Sequence, residues 1–155
     1  FAYSYDVIDL GYNYRIDEIR SALGIVQLEK LPANNTIRKR ITGRYWDAFE
    51  DSGLGLPYKT TACSSSHHIF PVLLPAGMNK KNFIDFLRQA GVQTSFHYPP
   101  IHQFSYYRPR FPDCSLPETE AVARREVTLP LFPSMSDGQV ELVIRTTMEA
   151  LTSLG

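Results

Sequence analysis

The sequence predicts an α+β domain in which helices cover one face of a small, mostly antiparallel sheet. Three observations carry that prediction. Apolar residues recur at helical spacing in separate windows, such as Ile37, Ile41, Tyr45 and Phe49, and again Phe83, Phe86 and Leu87. Between these windows lie short runs with strand character at 67–74, 92–96 and 127–133. The resulting order is helix, helix, strand, helix, strand, loop, helix, strand, helix, with no internal repeat.

The totals set the limits. A chain of 155 residues suits one domain with a real core. Its 43% hydrophobic and 21% charged content argues against disorder. Sixteen basic and sixteen acidic residues balance, and no basic stripe marks a nucleic-acid partner. Cys63 and Cys114 lack metal-ligand spacing and read as reduced thiols of a cytoplasmic protein. No apolar run approaches the roughly 18 residues of a membrane helix, and no signal peptide opens the chain. The first residue is Phe1, in mid-phrase, which fits the C-terminal part of a larger protein.

Residues 1–15 read as a tyrosine-rich loop that runs into a helix. Around Tyr12, Asn13, Tyr14 and Arg15, aromatic, amide and cationic groups meet the unsatisfied N–H groups of a helix start. Such a place either holds an anion or packs its tyrosines on a core and leaves the arginine in solvent. The helix at 16–31 presents Ile16, Ile19, Leu23, Val26 and Leu31 on one face, with Asp17 and Glu18 in its first turn. Leu31-Pro32 is expected to stop it, and Asn34 or Asn35 to cap a second helix. That helix carries the stripe of Ile37, Ile41, Tyr45 and Phe49 or Ala48, with Arg38, Lys39, Arg40 and Arg44 on solvated faces.

Residues 52–57 turn the chain, and 58–66 form a polar loop. In the strand at 67–74, Pro71 demands an edge position or a bulge. His67 and His68 fall on opposite faces, so they do not make a two-histidine metal site; one is expected to be half-buried and hydrogen-bonded. Asn79 caps a helix at 80–90, and Gly91 supplies its left-handed C-terminal cap. The strand at 92–96 delivers His97 and Tyr98 to a loop that Pro99 and Pro100 hold extended, out of any helix. His97 there either closes the strand with a backbone hydrogen bond or faces a ligand, and His102 braces the loop.

The irregular stretch 103–116 holds Tyr106, Tyr107 and Arg108, read as a surface cluster with a stacked arginine. A short helix follows at 118–126, with Glu118 and Glu120 as helix-start charges. Residues 127–133 are extended packing. Ser136 and Gln139 have capping-box spacing for a last helix at 137–151, which buries Val140, Val143 or Ile144, Thr147 and Leu151.

Four phrases, taken in order, carry a resemblance. They are Gly11-Tyr12-Asn13-Tyr14-Arg15 leading to Ala22-Leu23-Gly24 and Gln27-Leu28; Ser64-Ser65-Ser66-His67-His68-Ile69-Phe70-Pro71-Val72; His97-Tyr98-Pro99-Pro100-Ile101-His102; and Thr128-Leu129-Pro130-Leu131-Phe132-Pro133-Ser134-Met135-Ser136. Together they resemble the C-terminal part of the DegT/DnrJ/StrS-type sugar aminotransferases, pyridoxal-phosphate enzymes of the aspartate aminotransferase fold. The resemblance covers nearly the whole chain. It implies transfer of an amino group, usually from glutamate, to a nucleotide-linked keto-sugar, in a homodimer. It also implies that residues 1–155 form a C-terminal domain with an interdomain helix near 16–31. The Schiff-base lysine then lies in an N-terminal domain outside this chain, since Lys30, Lys39, Lys59, Lys80 and Lys81 all sit in the wrong context. This isolated chain is therefore expected to be inactive.

By the same resemblance, Asn13 reaches the cofactor phosphate of the other subunit. Tyr12, Tyr14 and Arg15 line the substrate side, and His97 and Tyr98 contact the nucleotide diphosphate. Two other readings stay open: a non-catalytic interaction or regulatory module that kept the fold, and another pyridoxal-phosphate reaction such as deoxysugar dehydration.

Overall fold

The computed structural model describes residues 5–57, 59 and 63–155. Parts of the expected loops at 1–15 and 58–66 fall outside the described residues. The elements are α1 (Glu18–Phe49), β1 (Phe70–Leu73), α2 (Lys80–Gln89), a 3-10 turn (Ile101–Gln103), α3 (Pro117–Arg125), β2 (Glu126–Leu129) and α4 (Asp137–Leu154). The α+β class is as the sequence predicts.

β1 and β2 pair antiparallel in a register running from Phe70↔Leu129 to Leu73↔Glu126. Single antiparallel bridges extend this pair on both sides, Gly55↔Leu73 and Ser95↔Thr128. The strand expected at 92–96 thus shrinks to one paired residue. The prolines at 99 and 100 offer no donors to prolong it. β1 starts at Phe70 because His67, at φ 47°, leaves the extended region. β2 ends at Leu129 because Pro130 cannot continue a ladder.

Leu73 exchanges both backbone bonds with Gly55, each 2.8 Å. By the two-residue alternation, position 71 faces the same way, away from β2. The missing donor of Pro71 therefore breaks no bond to β2. A Cβ on Gly55 would meet Leu73 Cβ at 3.0 Å, so glycine is what permits this approach.

Phe70, Val72, Val127 and Leu129 share one face of the sheet and are buried. Ile41, Tyr45 and Phe49 of α1, Phe83 and Leu87 of α2, and Val140, Val143 and Ala150 of α4 close over it. The Tyr45 hydroxyl donates to the Pro130 carbonyl at 2.8 Å, and burial pushes its phenol pKa up. Of the expected inward residues, Phe83, Leu87, Val140, Val143 and Thr147 are buried and Phe86 and Leu151 only half-buried; Ile84, Thr146 and Ala150, outside that expectation, are buried as well.

α1 overturns the expected break at Leu31-Pro32, for it runs through Pro32 without interruption. Proline removes the bond to the carbonyl four residues back and costs about 3 kcal/mol in a helix interior. Here both Leu28 and Pro32 are exposed, so water can solvate the orphaned carbonyl. The Thr36 hydroxyl donates to the Pro32 carbonyl at 3.0 Å. Asn34 and Asn35 are therefore interior residues, and Asn35 Oδ1 accepts from Arg38 at 3.0 Å. The N-cap is Asp17, which accepts from the Arg20 N–H at 2.8 Å, so the helix starts two residues later than expected.

With 32 residues, α1 is about 48 Å long, more than the roughly 30 Å span of a small domain. Every buried residue of α1 lies between Ile41 and Phe49. Its first half projects, and Ile19 and Leu23 are 79% and 62% exposed.

The remaining caps follow the sequence closely. Asn79 accepts from the Asn82 N–H at 3.1 Å. Gly91, at φ 82°, ends α2, with Val92 N–H on the Leu87 carbonyl and Gly91 N–H on the Arg88 carbonyl. The Ser136–Gln139 capping box is formed. α3 begins one residue early, with Pro117 at its first position, and Glu126 leaves it to open β2.

Candidate functional site

The first group of candidate residues sits on the arm that leads into α1. Tyr12, Asn13, Tyr14 and Arg15 are all exposed, Tyr12 and Tyr14 at 84% and 85%. The tyrosines do not pack on the core of this chain; their rings meet only edge-on, at 6.4 Å. The arm is tied down just upstream. Tyr106 N–H donates to the Val7 carbonyl at 2.7 Å, and the Tyr5 ring lies 5.5 Å from Phe104. Ser105 donates its N–H (2.9 Å) and its hydroxyl to the Asp6 carboxylate. That hydroxyl is the main reason the Asp6 carboxyl is held below its usual range.

The second group is on the loop after Ser95. The His97 N–H donates to Glu126 Oε2 at 3.1 Å, and His97 Nδ1 lies 2.9 Å from Thr128 Oγ1. The Thr128 hydroxyl donates to Glu126 Oε1 at 2.5 Å. His97 does close the strand through its backbone N–H, but onto a buried carboxylate rather than a carbonyl. Tyr98 is exposed, its ring edge-on to His97 at 4.8 Å, across a cis peptide bond. His97, Tyr98, Glu118, Thr119, Val122 and Glu126 border a cavity of about 380 Å³.

Glu126 and Thr128 were not among the residues singled out from the sequence. Their signal is the alternation Glu126-Val127-Thr128-Leu129, which puts two polar residues on the face opposite the core.

Lys80, whose sequence context is wrong for a Schiff-base lysine, lies nearby. It borders a larger cavity of about 410 Å³ with Ile84, Phe96, Pro99, Pro100 and Arg124. Its Nζ donates to the Ala123 carbonyl at 3.1 Å and stands 4.4 Å over the Phe96 ring. Burial pushes the ammonium below its usual range, and the charge of Glu126 partly opposes that.

The 97–116 stretch corrects three expectations. Ile101–Gln103 forms a 3-10 turn rather than staying extended, because Pro100 restricts only its own φ and the residue before it. The stacked arginine is Arg110, 3.6 Å over the Tyr106 ring, and not Arg108. Glu120 is more than a helix-start charge: its Oε1 lies 2.9 Å from His102 Nε2, so His102 does brace the loop, onto α3. His67 is the half-buried histidine of its pair, its ring edge-on to Trp46 at 6.0 Å. Burial, and secondarily Lys39, lowers its imidazole pKa.

No hydrogen bond, ion pair or ring contact joins Tyr12, Asn13, Tyr14 or Arg15 to His97 or Tyr98 among the described residues. The two groups stand as separate parts. The first fits the phosphate end of a pyridoxal-phosphate site, since an amide and a guanidinium both offer N–H donors and neither makes a side-chain bond among the described residues. Among the described residues no lysine accompanies them. Lys59 and Lys81 pair with Glu50 and Asp85, and Lys80 bonds Ala123. Lys30 and Lys39 are about 18 Å and about 32 Å along α1 from its start.

Solved structures share this fold. PseC from Helicobacter pylori, an aminotransferase of pseudoaminic acid biosynthesis, is 27% identical with a TM-score of 0.84, over 96% of this chain and 41% of that one. The aminotransferase TlmJ from Streptoalloteichus hindustanus is 32% identical with a TM-score of 0.80, over 88% and 37%. The PLP form of Spr1654 from Streptococcus pneumoniae, a sugar aminotransferase by its description, is 26% identical with a TM-score of 0.83, over 98% and 40%. The chain thus spans about two fifths of the length of these proteins. The model of the DegT/DnrJ/EryC1/StrS aminotransferase family matches residues 2–148, and the chain belongs to that family.

Proposed function

We propose that this chain is the C-terminal domain of a pyridoxal-phosphate-dependent aminotransferase that moves an amino group from an amino acid, glutamate in our reading, to a nucleotide-linked keto-sugar. The observation that carries the reading is the pairing of an unpacked, apolar first half of α1 with the donors of Asn13 and Arg15 just before it, uncommitted among the described residues. An apolar face of this extent calls for a cover. The N-terminal lysine-bearing domain and the second subunit of a homodimer supply it. When bound, the cofactor supplies the electron sink for amino transfer.

In this reading the residues of the chain bind and orient. Asn13 donates its amide N–H to the cofactor phosphate of the other subunit. Arg15 offers a planar fork to anionic oxygens, and Tyr12 and Tyr14 wall the substrate side. His97 and Tyr98 meet the nucleotide diphosphate. Among the described residues no helix is long and apolar enough to cross a membrane, and we place the enzyme in the cytoplasm.

The test is an assay of the full-length coding product with pyridoxal phosphate, glutamate and a panel of nucleotide-linked keto-sugars. Release of 2-oxoglutarate that depends on one of the sugars is the expected result. A cofactor-loaded protein that releases none with any sugar overturns the reading. The 155-residue chain alone, mixed with the cofactor and treated with borohydride, is expected to give no specific lysine adduct; a specific adduct with turnover refutes its inactivity.

A further inference from the structure

We propose that Glu126 and Thr128 are positioning residues that hold His97 in its Nδ1–H tautomer, so that Nε2 is the ring atom left to face a ligand. The inference begins with a count of protons. A carboxylate only accepts hydrogen bonds. Glu126 Oε2 takes the His97 N–H, and Glu126 Oε1 takes the single proton of the Thr128 hydroxyl at 2.5 Å. Thr128 Oγ1 then has only lone pairs to offer His97 Nδ1 at 2.9 Å. Two acceptors do not approach that closely, so Nδ1 carries the proton. In a neutral imidazole this leaves Nε2 unprotonated, and the tautomer is set by the bond the other nitrogen makes.

The arrangement is built, not incidental. Glu126 and Thr128 are 5% and 4% exposed, on a strand whose other face is the hydrophobic core. Burying a carboxylate is costly unless donors meet it. Here a peptide N–H and a hydroxyl do so, and the Lys80 ammonium lies close enough to feel its charge. Both side chains come from one strand at alternate positions, so their spacing is fixed by the pleat. Nε2 makes no hydrogen bond among the described residues, and His97 borders the 380 Å³ cavity with Tyr98.

A chemical consequence follows for the proposed role of His97, on which this part rests. A neutral His97 held this way cannot donate to a diphosphate; its Nε2 accepts, as from a sugar hydroxyl. Donation to a phosphate oxygen requires the imidazolium, whose Nδ1–H still points to Thr128 and whose charge is backed by Glu126 through that hydroxyl. Starting from the neutral ring, donation from His97 to a diphosphate therefore takes up one proton.

Ring nitrogen NMR of the 155-residue chain, labelled with ¹⁵N-histidine, reads the tautomer directly. At a pH where His97 is neutral, the expected pattern is a pyrrole-like Nδ1 and a pyridine-like Nε2. Thr128→Val is expected to lose this single-tautomer pattern and give a mixture, and Thr128→Ser to restore it. A protonated Nε2 in the unaltered chain overturns the proposal, whatever the variants do. So does an unchanged pattern in a folded Thr128→Val chain. A second arm adds inorganic pyrophosphate at fixed pH. A shift of the His97 ring signals toward the doubly protonated pattern supports the coupled proton. The Nδ1–H tautomer without any response to pyrophosphate upholds the positioning role and overturns the diphosphate assignment of His97.

Discussion

Glu120 shows how one side chain organises a long loop. It accepts from His102 and from the Leu116 N–H, and lies 4.0 Å from Arg124. The His102 bond is the main reason its carboxyl is held below the ordinary 4.5. A depressed carboxyl stabilises the fold fully above its unfolded pKa, and that contribution disappears as pH falls through the lower folded value. Hydrogen exchange of residues 101–116 is therefore expected to accelerate as pH drops below about 4.5, beyond the intrinsic pH dependence of exchange. In Glu120→Gln that extra acid sensitivity should vanish. The proposed phosphate contact gives a second prediction at this scale. In the full-length enzyme, Asn13→Ala is expected to weaken cofactor affinity by about 10- to 100-fold, the range for losing one hydrogen bond to a charged group. Circular dichroism should report an intact fold, because Asn13 is exposed. Unchanged cofactor affinity in equilibrium dialysis would remove Asn13 from the site.

At the scale of elements, α1 carries the clearest conflict between local rule and outcome. Pro32 is unfavourable where it stands, yet the helix continues because the orphaned carbonyl can meet water. Pro32→Ala restores an N–H without a new side-chain contact, so it is expected to stabilise the chain by about 1–3 kcal/mol in urea unfolding. A loss of stability would mean that the proline ring itself contributes to the fold at this position. The start of α4 obeys its local rule. Removing the Ser136 hydroxyl leaves the Gln139 N–H without its 3.2 Å acceptor. Ser136→Ala should cost about 1 kcal/mol in the same measurement.

At the scale of the whole molecule, the core and the arm belong to different problems. The core is closed within the chain: the sheet, the end of α1, α2 and α4 bury one another. The first half of α1 is not, for Ile19, Leu23, Ile25, Val26 and Leu28 all face solvent, as does Ile16 just before it. Ile19→Lys with Leu23→Lys is expected to leave the unfolding free energy of the isolated chain within about 0.5 kcal/mol, as for surface changes. Made in the homodimer proposed above, the same change should raise the monomer fraction in sedimentation. A large loss of stability would show that this face packs within the chain.

The sequence by itself determined the local devices and the class of fold. Asn79, Gly91 and the Ser136–Gln139 pair act where their chemistry places them, because caps are decided within four residues. The apolar stripe Ile41, Tyr45, Phe49 was legible for the same reason, since helical period is a local property. So was the resemblance that pointed to Asn13 and His97. Tertiary structure decided what depends on partners distant in sequence. Whether Pro32 ends a helix turned on solvent at Leu28, and which arginine stacks on Tyr106 turned on the path of the loop. Only pairing across the sheet brought Ser95 beside Thr128, and with it His97 onto Glu126 and Thr128. Those contacts span about thirty residues, and no local pattern encodes them.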